Sequence, residues 1–243
     1  MLSIDKVAHL NRWRSRSVTE KATLALGMMI ITISLPSLPV ALMVMGVMTG
    51  AAILGARVPA KLWLACTMGT LGFLLTGSLS LMLHVDVGGI RLMPEEWPTV
   101  VRLTLQALAG FTCLQFLALT TPTTDLLSGL RRLGIPSEIL EVALLIYRFL
   151  FLLVETAAAM HAAQAARLGH NGMRRRIQSL GSLVANLLAR ALDRAQRLET
   201  GLAARGWNGA ITVVRRSTPV SVSGLSLILM TEAVTAALGL WYR

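Results

Sequence analysis

Two arginines stand in closely similar local settings. Ala165-Ala166-Arg167-Leu168-Gly169 and Ala203-Ala204-Arg205-Gly206 each place small residues, an arginine and a glycine at the foot of a predicted helix. A helix carboxy terminus with free carbonyls tolerates a cation, glycine permits a sharp turn, and alanine lets another surface come near. An arginine held there is a rigid, always charged fork suited to a carboxylate or a cluster of backbone carbonyls on another protein. Either ending alone reads most simply as a positively charged helix cap. The pair, on helices of similar length, points to docking.

Other chemistry is thin. A nucleotide-binding P-loop needs a Gly-Lys step, whereas Lys6, Lys21 and Lys61 follow Asp5, Glu20 and Ala60. Neither a zinc-protease helix, nor paired aspartates in the apolar runs, nor a Gly-x-Ser-x-Gly elbow is present, so no catalytic residue is assigned. Cys66 and Cys113 lie in apolar runs without a partner at metal-ligand or redox spacing. His84, His161 and His170 are scattered, as surface histidines are, and no metal site is assigned. Glu232 falls inside an apolar run, where a carboxyl is costly to bury and is a functional candidate by default. Pairing with a neighbouring helix or a water-filled groove accounts for it more simply.

The elements that carry these residues belong to a membrane protein. Apolar residues make up 54% of the chain and charged residues 14%, against about 25% charged in soluble domains, and the mean hydropathy is +0.65. The net charge of +11 is explained by water-facing basic segments of a membrane protein, because no nucleic-acid-binding fold accompanies it. Residues 1–21, with Lys6, Arg12, Arg14, Arg16 and Lys21 beside Ile4, Leu10 and Trp13, read as a cytoplasmic or interfacial basic tail. They are too charged for a cleavable signal peptide.

Residues 22–120 read as four transmembrane helices. The uncharged run Ala22 to Ala56 exceeds the ~20 residues that cross a bilayer, and Pro36-Ser37-Leu38-Pro39 divides it into a hairpin whose first arm, Ala22 to Leu35, is short. Leu62 to Leu83 and Val100 to Thr120 follow, separated by an outside loop, His84 to Pro98, that holds Asp86, Gly88-Gly89, Arg91, Glu95, Glu96 and Trp97. Residues 219–243 supply the last span, Val220 to Trp241. The apolar run Val142 to Val154 is short, interrupted by Arg148 and flanked by Glu138, Glu141 and Glu155, so five spans are expected. Lys and Arg crowd the tail, the Arg57/Lys61 loop and the pairs Arg131-Arg132 and Arg215-Arg216, which places the amino terminus and residues 121–218 in the cytoplasm.

Within 121–218, Thr124-Asp125 can start a short helix that stops at Gly134 and Pro136. Ser137 offers an N-cap for a helix running to Leu168, and Gly169 ends it before a His170-Asn171-Gly172 turn. A second helix covers Arg174 to about Arg205. Ile177, Leu180, Val184, Leu187, Ala191, Ala195, Leu198 and Leu202 form its apolar stripe, and Arg190, Arg194 and Arg197 occupy another face. The fold class is therefore all-α and polytopic, with two crossed amphipathic helices in a long cytoplasmic segment.

The chain resembles the transmembrane T component of energy-coupling factor (ECF) transporters of the CbiQ type. The family has two helices ending in Ala-Arg-Gly, matched by Ala166-Arg167-Leu168-Gly169, with Leu168 as an extra residue, and by Ala204-Arg205-Gly206. Ile4-Asp5-Lys6-Val7-Ala8, Trp13-Arg14-Ser15, Glu20-Lys21, Tyr147-Arg148 followed by Glu155, and Arg205-Gly206-Trp207-Asn208-Gly209 also match. The resemblance implies a non-catalytic subunit of a bacterial inner-membrane importer. Two cytoplasmic ATP-binding cassette ATPases, CbiO-like and carrying the ATP, would dock at Ala166, Arg167, Gly169, Ala204, Arg205 and Gly206. Arg148 and Glu155 would serve the structure of the coupling helices. A CbiM-like membrane subunit, with a small CbiN-like helper, would capture cobalt, so no cofactor or metal is assigned to this chain. Nickel systems use similar subunits and vitamin systems more distant ones, so the same role in nickel or vitamin uptake is an alternative. A basic membrane anchor that binds anionic lipid or nucleic acid through Arg174-Arg175-Arg176 and the Arg190/Arg194/Arg197 face is the alternative of a different class. A membrane-embedded enzyme would rest on Glu232 and the histidines alone.

Overall fold

The computed structural model describes residues 3–86, 89–92, 97–206 and 221–242. Glu95, Glu96, the Trp207-Asn208-Gly209 step, Arg215 and Arg216 lie outside the described residues. The chain forms α1 (Ser3–Leu10), a 3-10 turn (Arg12–Ser15), α2 (Val18–Ser34), α3 (Leu38–Gly50) with a π-helical turn (Ala51–Gly55), and α4 (Ala60–Met82). A hairpin of β1 (Leu83–Asp86) and β2 (Gly89–Leu92) leads to α5 (Trp97–Thr120), α6 (Thr123–Leu130), α7 (Ser137–Ala166), α8 (Met173–Ala203) and α9 (Val222–Trp241). The described residues up to Gly129 make one compact unit with α9, and those from Leu130 to Gly206 make a second.

In the first unit α5 is the central helix, with α1, α2, α3 and α4 against it. Met28, Val44, Met48, Ala109, Cys113 and Phe116 are fully buried at the seams. Hydrophobicity alone does not hold helices together in lipid, so close packing and interhelical hydrogen bonds carry more of the association. Gln115 Nε2 donates to Trp63 O at 2.9 Å, Thr67 Oγ1 donates to Gln115 Oε1 at 3.1 Å, and Gln106 Nε2 donates to Thr32 O at 2.9 Å. On α4 only Trp63 and Thr67 are buried, leaving Leu64, Phe73 and Leu79 on an exposed apolar face suited to lipid.

The basic tail is a structural element of this unit. Asn11 Nδ2 donates to Ala8 O at 2.7 Å, Thr120 O at 3.0 Å and Leu119 O at 3.4 Å, and Lys21 Nζ donates to Thr120 O at 3.0 Å. An amide and a buried ammonium thus close the carboxy terminus of α5, where free carbonyls favour a cation. Arg12 N–H donates to Ala56 O at 3.1 Å, Trp13 and Phe116 meet in a T-shaped pair at 5.7 Å, and Arg16 lies over the Trp13 ring at 4.6 Å. A methyl at Gly55 would lie 2.7 Å from the Trp13 ring, so this glycine makes room for the indole.

Helix α2 starts four residues before the uncharged run because Ser17 Oγ accepts from Thr19 N–H, and Glu20 and Lys21 then find partners within the unit. Glu20 Oε1 accepts from Ser221 N–H at 2.7 Å at the start of α9. The loop expected between α4 and α5 contains a small antiparallel hairpin pairing Leu83 with Leu92 and Asp86 with Gly89.

Among the described residues, five helices are long and apolar enough to cross a membrane: Leu38–Gly55, α4, α5, α7 and α9. Five was the expected number, but the membership differs. Helix α2 has 17 residues, or ~25 Å at 1.5 Å per residue, whereas α7 has 30. The expected helix over this stretch is present at nearly its expected length, but counting only the short apolar run Val142 to Val154, broken by Arg148, left it out of the expected spans.

Candidate docking site

The second unit is a helical hairpin in which α8 runs back alongside α7. Thr123–Leu130 is helical, and Gly134 stops the short segment at φ +86° before Pro136 opens α7. Pro136, rather than the expected Ser137, is the N-cap; Ser137 is the first helical residue and its hydroxyl points to Glu138 Oε1 at 3.5 Å. On α8 the expected apolar stripe divides in two. Leu183 is buried and Leu187, Ala191, Leu198 and Leu202 are partly buried, whereas Ile177, Leu180 and Val184 join Leu188 and Leu192 on an exposed stripe. Two neighbouring stripes of a 3.6-residue helix merge in sequence because each recurs every three or four residues.

The two arginine-bearing ends have the same backbone design. After α7, Arg167 N–H donates to Gln164 O and Leu168 N–H to Ala165 O; after α8, Arg205 N–H donates to Leu202 O and Gly206 N–H to Ala203 O. These four bonds measure 3.2, 3.0, 3.1 and 3.0 Å. Leu168 then takes φ +57° and Gly206 φ +68°. The structural match is therefore Ala166 to Ala204, Arg167 to Arg205 and Leu168 to Gly206. Leu168 is no extra residue between Arg167 and its glycine; it holds the glycine's place. Counting forward from the Ala-Arg step, instead of back from the glycine, reveals this in the sequence.

Gly169 has another task. A methyl on it would lie 2.8 Å from Ser179 Oγ and 2.9 Å from Gln164 O. Its N–H donates to Gln164 O at 2.9 Å, which closes the α7 end in a Schellman-type turn. Ser179 Oγ donates to Gly169 O at 2.9 Å and Gln164 Nε2 to Ser179 O at 3.0 Å. These bonds tie the turn to α8, and neither Ser179 nor Gln164 stands out in the sequence.

Ala166, Arg167, Ala204, Arg205 and Gly206 are exposed, and Gly169 is partly buried. The two arginines are not brought together. They lie at opposite ends of α8, whose 31 residues set them ~45 Å apart at 1.5 Å per residue. Arg148 and Glu155 are exposed on α7, and Arg148 borders a small cleft with Arg194 and Arg197. His161 and His170, on either side of the α7 end, stack at 4.4 Å between ring centroids and 29° between planes. Among the described residues no three His, Cys, Asp or Glu side chains converge as metal ligands would. In the first unit the Glu232 carboxyl lies on the Gly27 face of α2, and its Oε1 has no hydrogen-bond partner among the described residues.

The CbiQ family profile, described as a cobalt transport protein, matches residues 10–219. A cobalt transport protein CbiQ of Rhodobacter capsulatus is 46% identical over 237 residues, which is 98% of this chain and 97% of that protein. A cobalt transport protein CbiQ of Salmonella typhimurium is 26% identical, covering 86% of this chain and 98% of the relative. A putative fused cobalt transport protein CbiMQ of Methanocorpusculum labreanum is 28% identical over 93% of this chain and 40% of its own length. With near full-length identity of this order and a helical membrane architecture, the chain belongs to the CbiQ family of cobalt transport proteins.

Proposed function

We propose that this chain is the transmembrane coupling subunit of an ECF-type ABC importer for cobalt ions, without catalytic activity of its own. The reading rests on one observation above the others: two helix ends that share the same pair of backbone hydrogen bonds each present an exposed arginine just before a left-handed turn. Each arginine docks one CbiO-like ATPase that carries the ATP, with Ala166 and Ala204 allowing close approach. The hairpin of α7 and α8 transmits ATPase closure to a CbiM-like membrane subunit, assisted by a small CbiN-like protein, and that subunit holds the metal. The fused CbiMQ relative supports such a neighbour. The amino terminus and the hairpin face the cytoplasm of a bacterial inner membrane, as the distribution of Lys and Arg indicates.

Losing one partner of a buried charge pair costs ~3–5 kcal/mol, so Arg167→Ala and Arg205→Ala each weaken association with the ATPases and the double variant abolishes it. Co-purification of the ATPases and cobalt uptake by cells read this directly. Unchanged assembly and uptake in the double variant would sink the proposal. Uptake measured with cobalt, nickel and vitamin substrates in parallel decides the cargo.

A further inference from the structure

A groove of about 710 Å³ opens between α7 and α8, and its lining includes neither arginine-bearing end. Its volume is in the ~300–1,000 Å³ range of small-ligand sites. Ile146, Leu150 and Leu153 of α7 give it an apolar wall, and Arg190, Arg194 and Arg197 of α8 line its other side. Those arginines recur one helical turn apart, so their guanidinium groups form a row. Asp193 is the acidic side chain at this groove, and Arg148 adds a further cation where the adjoining cleft meets Arg194 and Arg197.

We infer that this groove binds an anionic phospholipid, with the phosphate on the Arg190/Arg194/Arg197 row and an acyl chain along the apolar wall of α7. The occupant must combine negative charge with a long apolar body. Nucleic acid satisfies the arginines but leaves the apolar wall without a match, and a neutral protein helix does the reverse. A membrane supplies the ligand at hand: α7 is long and apolar enough to cross a bilayer and its apolar stretch is unburied, while anionic headgroups gather around basic residues at the cytoplasmic surface. This inference stands apart from ATPase docking at Arg167 and Arg205 and survives if that docking fails.

The test uses the full chain purified in a neutral detergent. Short-chain phosphatidylglycerol, phosphatidylcholine and inorganic phosphate are titrated separately, and binding is read by thermal shift and native mass spectrometry. Phosphatidylglycerol is expected to bind selectively. Replacing Arg190, Arg194 and Arg197 by Gln should weaken it about a hundredfold, whereas the Lys versions stay within a few fold. Replacing Arg174, Arg175 and Arg176 by Gln, at the start of α8, should change it less than about threefold. A phosphatidylglycerol with a photoreactive acyl chain should label wild-type α7 between residues 142 and 154, a readout that needs no variant to fold. Equal binding of phosphatidylcholine, or equal loss in the Arg174/Arg175/Arg176 variant, overturns the inference. So does inorganic phosphate binding as well as the lipid, which would make this a bare anion site. Labelling that goes to a partner subunit in the assembled importer, with none on α7, assigns the groove to protein instead.

Discussion

Leu168 holds the left-handed backbone position at the end of α7 that Gly206 holds at the end of α8, with φ of +57° and +68°. A left-handed conformation costs an L-residue about 1–2 kcal/mol, and Leu168 is 68% exposed, so little packing offsets it. Leu168→Gly relieves that penalty but loosens the unfolded chain by about 0.4–1 kcal/mol. The net expectation is a gain of about 0.5–1 kcal/mol, read as a higher Tm, with ATPase association retained. Gly206→Ala should lose about 1–2 kcal/mol at the other end.

Gly169 follows different rules. Gly169→Ala drives a methyl against Ser179 Oγ and Gln164 O, and overpacking of this kind costs about 1–3 kcal/mol. Limited proteolysis should cut the α7–α8 turn faster in this variant. Because the clash is steric and not conformational, Ser179→Ala in the same chain should restore part of the resistance.

Gly27 and Glu232 form a second steric pair, between α2 and α9. An added methyl at Gly27 collides with the Glu232 carboxyl, so Gly27→Ala should destabilise by about 1–3 kcal/mol. Contacting residues are not additive. Combined with Glu232→Ala, the same glycine replacement should cost less than about 0.5 kcal/mol; a double-variant thermal unfolding series measures the difference. Full retention of uptake by Glu232→Gln would show that an ionisable group at this position is dispensable.

Asn11→Ala removes the amide that donates to Leu119 O and Thr120 O. Leaving buried carbonyls short of a donor costs about 1–3 kcal/mol. The loss should appear as a lower Tm together with faster cleavage of the amino-terminal segment, which loses one of its ties to α5. A merely disordered tail would leave both measurements unchanged.

Helix existence was legible wherever apolar periodicity was long. The bounds expected from sequence for α4, α5, α7, α8 and α9 lie within a few residues of the observed ones. Where charges are tolerated was not legible. Glu20 and Lys21 marked the end of a tail by composition, yet both sit inside α2 because a helix amino terminus and a helix carboxy terminus, distant in sequence, accept them. Side-chain solutions of this kind have no local signature. The arginine-bearing ends were legible as residues but not in register, since Leu is an uncommon occupant of a left-handed position. The turn's dependence on Ser179 and Gln164 could not be read, because only the returning α8 brings them to Gly169.

The closure of α5 also constrains biogenesis. Asn11 and Lys21 reach Thr120 across 109 and 99 positions of sequence. A ribosome adds ~5–20 residues per second, so this segment waits several seconds without its partners on α5 while four helices are synthesised behind it. Insertion of α5 then supplies the carbonyls that fix it. The segment that holds Asn11 and Lys21 is made before α5, yet it is held in place only once α5 exists.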